Sequence, residues 1–382
     1  MRKICVVTSN RSDYSKLKSV MEEINKREDL ELIFIVTASH LLADFGTTIN
    51  SIKKDGFKID SVARTIIEGE DPVTMAKSVG LGSLEMPTLL DTYKPDIVLI
   101  VGDRFDILPV VISAALMNIT IAHIQGGEVT GTIDESIRHV ITKFAHIHFP
   151  SNKECAERII KLGEEPSRVF NVGCPATDHL KKINEETTKD LNEFNNTYFS
   201  NINFSEPYLI FIQHPVTSEY EEAGKQIRES LEAISSLKIQ TIMLYPNVDA
   251  GSTKMMSVIR EYEDKKKYPQ IFMYKHIEFE DYIKLLKNCS CIVGNSSSGI
   301  RESCFFGIPT VNIGTRQNGR QRGENVIDVD YKRELIKKAI EEKLNNSLYR
   351  PEFIYGEGGS GKKIAEVLAT IKLKSTQKKI TY

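Results

Sequence analysis

The chain has 382 residues, 41% hydrophobic and 27% charged, with a net charge of −2. That length exceeds one ordinary core and points to two domains. A charge so near zero excludes general attraction to nucleic acid or to an anionic membrane, and no window approaches the roughly 20 apolar residues of a membrane span.

The apolar run in "MRKICVVTSN" is too short for a secretory leader and reads as a strand. A helical pattern, "SDYSKLKSVMEEINKR", follows it. Then come "LELIFIVTAS", "DIVLIVG", "ITIAHIQ", "HIHFPS" and "RVFNVG", each a short continuous apolar run. Residues 182–207 are polar and rich in Asn, Glu and Thr, which marks a connection between domains. The rhythm then repeats in "YLIFIQH", "TIMLYP", "IFMYKHI", "CIVGN", "TVNIG" and "VIDV". Continuous apolar strands alternating with helices predict α/β domains with parallel sheets covered on both faces. The expected organisation is two Rossmann-like doubly wound domains, 1–181 and 208–350, with 351–382 supplying a C-terminal helix that packs back toward the first. Ligands of such sheets bind at the carboxyl ends of the strands, so the site is expected in the cleft between the domains.

Polar residues gather at those strand ends. Arg11, Asp13 and Ser15 follow the first strand; Gly102, Asp103 and Arg104 follow "DIVLIV"; Gln125 to Glu128 follow "ITIAHI". In the second half the residues are His214, Asn247 with Asp249, and Gly314 to Arg316. "IVGNSSSGIRE" reads as a strand end, a turn of small residues and, from Gly299 to Glu302, the first turn of a helix. Free N–H groups and the helix dipole make this an anion cradle. His214 ends a buried strand before Pro215, where it can donate to a diphosphate or act as an acid. Asp103, Glu128, Asp134 and Glu135 put four carboxylates in the first half, and clustered carboxylates raise one another's pKa toward values useful for proton transfer.

Other features read as structural. "GEGGSGKK" has P-loop spacing, but Lys363 stands where the Mg²⁺-binding hydroxyl belongs and no apolar strand precedes it; it reads as a Gly-rich turn before a helix. His146 and His148 lack a third metal ligand nearby, and Arg138 and His139 lie on a helix. The six cysteines are scattered, and Cys289 and Cys291 are one residue apart, unlike a zinc knuckle, so reduced thiols in a cytoplasmic protein are expected.

Taken together, "TSNRSDYSKL", "VGDRFD", "HIQGGEVTGTIDESIRHVITKFAHIH", "QHPVT", "YPNVDAGS", "GNSSSGIRE" and "GTRQNGR" resemble the hydrolysing UDP-N-acetylglucosamine 2-epimerases of sialic acid synthesis, in family order from residue 8 to about 325. The resemblance implies a glycosyltransferase-B type fold. It implies conversion of UDP-N-acetylglucosamine and water to N-acetylmannosamine and UDP, by elimination of UDP and hydration of the 2-acetamidoglucal, with neither nicotinamide nor an essential metal. It also implies dimers or tetramers, and helices of the first domain could pair the subunits. Carried over by motif, Arg11 and Ser15 lie near the diphosphate and sugar, Asp103 is a catalytic carboxylate, Arg104 is a nucleotide-side contact and His214 faces the diphosphate. Asn247 points toward the ligand, the backbone of Ile277 holds uracil, Ser296 and Ser297 cradle phosphate, Glu302 holds ribose hydroxyls and Arg316 lies at the edge. Gln125 stands where some members have a glutamate proposed to be catalytic, and an amide cannot exchange a proton at neutral pH. Glu128, the Asp134/Glu135 pair, or Asp103 with His214 is left to supply the chemistry. The same chemistry on UDP-2,4-diacetamido-2,4,6-trideoxy-glucose, of legionaminic acid synthesis, and a glycosyltransferase of the same architecture are the alternatives.

Overall fold

The structure is a computed structural model that describes the chain apart from residues 43–46, 70, 187–190, 200–201, 248, 265–267, 346–348, 374–375 and 382. Eleven of the twelve apolar runs are strands, and Ser61–Ala63, which is not among those runs, is a twelfth among the described residues. In the first half these are β1 (Arg2–Thr8), β2 (Leu30–Thr37), β3 (Ser61–Ala63), β4 (Ile97–Val101), β5 (Thr120–Ile124) and β6 (Ile147–Phe149). In the second they are β7 (Tyr208–Ile212), β8 (Gln240–Leu244), β9 (Ile271–Tyr274), β10 (Cys291–Gly294), β11 (Thr310–Ile313) and β12 (Val326–Val329). Each set forms one parallel sheet, in the orders β3-β2-β1-β4-β5-β6 and β12-β11-β10-β7-β8-β9. Counted from its own first strand, each sheet runs 3-2-1-4-5-6, the doubly wound order whose direction reverses beside the first strand. This is the expected two-domain α/β architecture.

Strand alternation explains why both faces must be covered. Ile4 and Val6 enter one apolar cluster, and Cys5 and Val7 the cluster on the opposite face. In the second sheet Leu209 and Phe211 face one way, and Ile210 and Ile212 the other. The helix Arg11–Asn25 shows how a strand passes to its cover. The Asn10 side chain accepts the Asp13 N–H and caps the helix, and Tyr14, Leu17, Val20, Met21 and Ile24 form its buried stripe.

The helix Ser360–Thr370 packs on the same cluster, contributing Ile364, Ala365 and Leu368. Its N-terminus lies in "GEGGSGKK", and the carboxylate of Asp178 accepts the N–H groups of Ser360 (2.8 Å) and Gly361 (2.7 Å). The position where a P-loop would hold phosphate is thus filled by the chain's own anion. The polar connection is also anchored. Phe199 and Ile202 are buried, and the Phe199 ring meets Tyr274 edge-on at 4.7 Å.

Two local expectations are corrected. "RVFNVG" forms no strand, only a single bridge between Val169 and His148. After β10 the chain makes a 3₁₀ turn over Ser297–Gly299, and the α-helix starts only at Glu302. The reason lies in Gly294, at φ +123°, where a Cβ would stand 2.0 Å from the Ile212 carbonyl oxygen. The strand end is pressed against β7, and the chain must turn tightly to leave it. All six cysteines are free and buried. Among the described residues no helix is long and apolar enough to cross a membrane.

Leu368→Ala removes a fully buried side chain that ties the C-terminal helix to the first sheet. It should cost about 2–5 kcal/mol in urea unfolding. A loss of well under about 1 kcal/mol would mean that the helix is not held there.

Candidate active site

The carboxyl ends of β1, β4 and β5 face those of β7, β8 and β10 across a cleft of about 1120 Å³. Of the expected residues, Arg11, Ser15, Asp103, Arg104, Asp134, His214, Asn247, Ile277, Ser296, Ser297, Glu302 and Arg316 all line it. Glu128 and Glu135 do not.

The side toward the second sheet suits an anion. Arg11 and Arg316 lie along it, and the Ser296 side chain caps the turn by accepting the Ser298 N–H. His214 is buried, and burial first, then Arg316, Arg11 and Arg104, holds its imidazolium well below the ordinary range. Its Nδ1 accepts the Asn247 N–H at 3.0 Å. A neutral ring with Nδ1 accepting carries its proton on Nε2. His214 therefore presents an Nε2–H donor rather than a charged imidazolium. Asn295 locks the ring's backbone, accepting the His214 N–H (2.7 Å) and donating to its carbonyl (2.8 Å). One turn on, Glu302 is buried, and its Oε2 has no hydrogen-bond partner among the described residues. Burial raises its pKa, opposed by Arg301. A buried acceptor left open beside an anion cradle is matched by a ligand that carries hydroxyls next to its phosphates.

The side toward the first sheet holds carboxylates in different states. Burial opposes the charge of Asp103, but Arg138 and Arg320 outweigh it and hold Asp103 well below the usual carboxylate range. Arg138 Nε donates to it at 2.8 Å. Asp134, at the start of the helix Asp134–Phe144, is pushed up to about 6 by burial and by its neighbours Asp103 and Asp249. Gly102, at φ +82°, turns the chain here, and the Asp13 carboxyl group lies beside it, Oδ1 3.6 Å from where a Cβ would stand. Among the described residues no three His, Cys, Asp or Glu side chains form a metal-ligand cluster.

The two remaining carboxylates are already committed. Glu128 accepts from Ser151 (2.9 Å), Arg320 (3.1 Å) and Arg301. Glu135 accepts the Thr130 N–H (2.8 Å) and pairs with Arg138 and His139. Neither has an oxygen directed to the cleft, so the expectation that one of them replaces the missing glutamate is not met. Gln125, at φ +67°, does reach the cleft. Its carbonyl accepts from Arg301 (3.0 Å), and its amide donates to the sulfur of Cys174 (2.9 Å).

Several lining or supporting residues were not anticipated: Asp13 and Lys16 as site residues, Arg138, Tyr282, Arg301 and Arg320. Lys16 is buried although it lies off the apolar stripe of its helix, so the helical pattern gives no signal of it. Arg301 and Arg320 sit inside the quoted motifs "GNSSSGIRE" and "GTRQNGR". Arg138 read as an ordinary helix charge but is fully buried.

Residues 22–369 match the family model described as UDP-N-acetylglucosamine 2-epimerase. The UDP-N,N'-diacetylbacillosamine 2-epimerase (hydrolyzing) of Legionella pneumophila is 35% identical over 98% of this chain and 97% of its own length. The GDP/UDP-N,N'-diacetylbacillosamine 2-epimerase (hydrolyzing) of Campylobacter jejuni is 36% identical over 86% of this chain and 84% of its own. The UDP-N-acetylglucosamine 2-epimerase of Neisseria meningitidis serogroup B is 30% identical over 96% of this chain and 95% of its own. Among solved structures, the Methanocaldococcus jannaschii UDP-GlcNAc 2-epimerase in complex with UDP-GlcNAc and UDP superimposes with a TM-score of 0.78 at 19% identity, covering 96% of this chain and 99% of that one.

The Glu128 ion pairs give a pH test. Burial opposes its charge, but Arg301 and Arg320 lower its pKa from the ordinary 4.5 to about 2. A depressed folded value means that the stabilisation is complete above pH 4.5 and is lost as pH falls toward 2. Glu128→Ala should cost about 3–5 kcal/mol at pH 7, because two buried guanidinium groups lose their partner. Across a series of thermal melts, the gap between the parent and variant midpoints should narrow through that acid window. A gap independent of pH would contradict the assignment.

Proposed function

The chain belongs to the UDP-N-acetylglucosamine 2-epimerase family, and from that premise we propose that it is a hydrolysing 2-epimerase of a UDP-2-acetamido sugar. The observation that carries this reading is the division of one cleft into an anion-binding side and a carboxylate side. UDP would lie with its diphosphate against Arg11, His214, Arg316 and the Ser296–Ser297 turn, its uracil by Ile277 and its ribose hydroxyls on Glu302. The sugar would then meet Asp103 and Asp134.

In the first step Asp134 takes the proton from C2 and the C1–O bond breaks, with its electron pair leaving on the diphosphate. A base tuned to about 6 is suited to proton transfer near neutral pH. The leaving charge is met by donors already in place, His214 Nε2–H among them, which lowers the barrier without reorganisation. In the second step water adds across the C1–C2 double bond, its hydroxyl to C1 and a proton to the other face of C2, so that the free sugar is the 2-epimer. Asp103, kept ionised by Arg138, stabilises the positive charge at C1 and takes the proton of the attacking water.

For the substrate we favour UDP-N,N'-diacetylbacillosamine, the 2,4-diacetamido sugar, over UDP-N-acetylglucosamine. Support comes from the two relatives named for that sugar, which are 35% and 36% identical, against 30% for the Neisseria protein named for UDP-N-acetylglucosamine.

Incubation with each sugar nucleotide in D₂O checks both parts. The expected products are free UDP and a 2-epimerised sugar with deuterium at C2, with the larger kcat/KM for the diacetamido sugar. Product that keeps its UDP, or no turnover without an acceptor, would sink the reading. His214→Ala and Asp103→Asn should each lower kcat by at least about 100-fold. A near-normal rate for Asp103→Asn would remove Asp103 from the mechanism.

A further inference from the structure

The hydration step needs a second proton source. Asp134 has just taken the C2 proton on one face, and the proton that completes inversion must arrive from the other. Gln125 cannot supply it.

Asp13 lines the carboxylate side of the cleft and is only 4% exposed. Its Oδ2 lies 2.7 Å from Ser9 Oγ and 2.7 Å from Asn10 Nδ2, while Oδ1 lies toward Gly102, 3.6 Å from where a Cβ there would stand. Ser9 Oγ is also 3.0 Å from Oδ1 of Asp106. A hydroxyl has one hydrogen, so Ser9 can donate to only one of these two carboxyl groups. The other contact is a hydrogen bond only if that carboxyl group carries a proton and donates to Ser9. Asp106 has a cation beside it, Arg104 at 3.3 Å, whereas Asp13 has no ion pair within 4 Å among the described residues. The proton therefore belongs to Asp13, and the chain runs Asp13–H to Ser9 and Ser9–H to Asp106.

We propose that Asp13 is the general acid that returns a proton to C2 of the 2-acetamidoglycal, with Ser9 and Asp106 holding that proton in reserve; this rests on the hydrolysing reading above. The balance closes. The C1–C2 π bond takes the Asp13 proton at C2, water forms the C1–O bond, and Asp103 takes the water proton. Asp134 and Asp103 have each gained a proton and Asp13 has lost one. Once one returns to Asp13, a single proton is left over, as freeing UDP from a sugar requires. The charged groups facing Asp13 are Lys16 from its own helix and Asp106 and Arg104 from the loop after β4. Burial pushes its pKa up, Lys16 opposes this, Asp106 adds to it, and the result is about 7.

The test uses the full chain. Asp13→Asn should bind UDP within about threefold of the parent, and still release UDP from the sugar nucleotide. It should form the 2-epimer at least about 100-fold more slowly, so that glycal accumulates. Asp13→Glu should recover part of the loss. Supplied with glycal and UDP, the parent should hydrate the glycal at a rate that falls as pH rises through about 7, because the acid must be protonated. Ser9→Ala should move that midpoint while leaving UDP affinity unchanged. Normal 2-epimer formation by Asp13→Asn, or a loss of UDP affinity as large as the loss of turnover, overturns the assignment. If the parent itself frees no UDP, the hydrolysing reading falls and takes Asp13's role with it; if the parent is active and Asp13→Asn equally so, Asp13 alone is wrong.

Discussion

Glu128 is buried between the two sheets, and both guanidinium groups that neutralise it, Arg301 and Arg320, come from the opposite half of the chain. A carboxylate placed there without them would carry a desolvation cost of several kcal/mol. With them it ties the loop after β5 to the helix start after β10. Arg301 also holds Gln125, so one cation sets the position of a cleft residue and of the loop that bears it. The geometry of the cleft depends on this pin. Arg104 makes a second crossing, donating to Asp249 at 2.7 Å.

The identical strand order of the two sheets gives the pin its setting. In each, the crevice opens where the winding reverses, beside β1 and β4 in one half and β7 and β10 in the other. Facing the two crevices forms one cavity from two loop sets with different chemistry. The second half offers imidazole, serines and a tight turn forced by Gly294, all suited to phosphate. The first offers carboxylates, whose environments drive them apart. Arg138 beside Asp103 keeps it charged, while burial lifts Asp134 and Asp13 toward neutrality. Such a spread of pKa values within one cavity is how a site holds an acid, a base and a charge-stabilising carboxylate at one pH.

Much of this was legible in the residues. Continuous apolar strands between amphipathic helices announce a doubly wound sheet, and polar residues set just after them mark the cleft. What stayed hidden depends on tertiary contact. A helix arginine such as Arg138 reads as a solvated charge until the helix is docked. The apolar content of "RVFNVG" suggests a strand, but the segment meets β6 in only one bridge. A carboxylate's sequence neighbours do not say which arginines reach it, so Glu128 and Glu135 looked as available as Asp134. The shared hydroxyl of Ser9 could not be foreseen, since Asp13 and Asp106 are 93 residues apart and meet only when β1 and β4 pair.

The glutamine at position 125 follows from the same electrostatics. Its carbonyl accepts from Arg301, whose charge is already answered by Glu128, and its amide is turned to Cys174. A carboxylate there would be a second anion on Arg301, close to Glu128 and facing a thiol that cannot counter it. In a buried setting such like charges disfavour ionisation of one partner. The amide keeps the same acceptor toward Arg301 without the extra charge, and the pin between the domains stays balanced. Proton transfer at C2 is then left to carboxyl groups outside this network. Asp134 and Asp13 meet that condition, because each lines the cleft and neither is tied to Arg301 or Arg320.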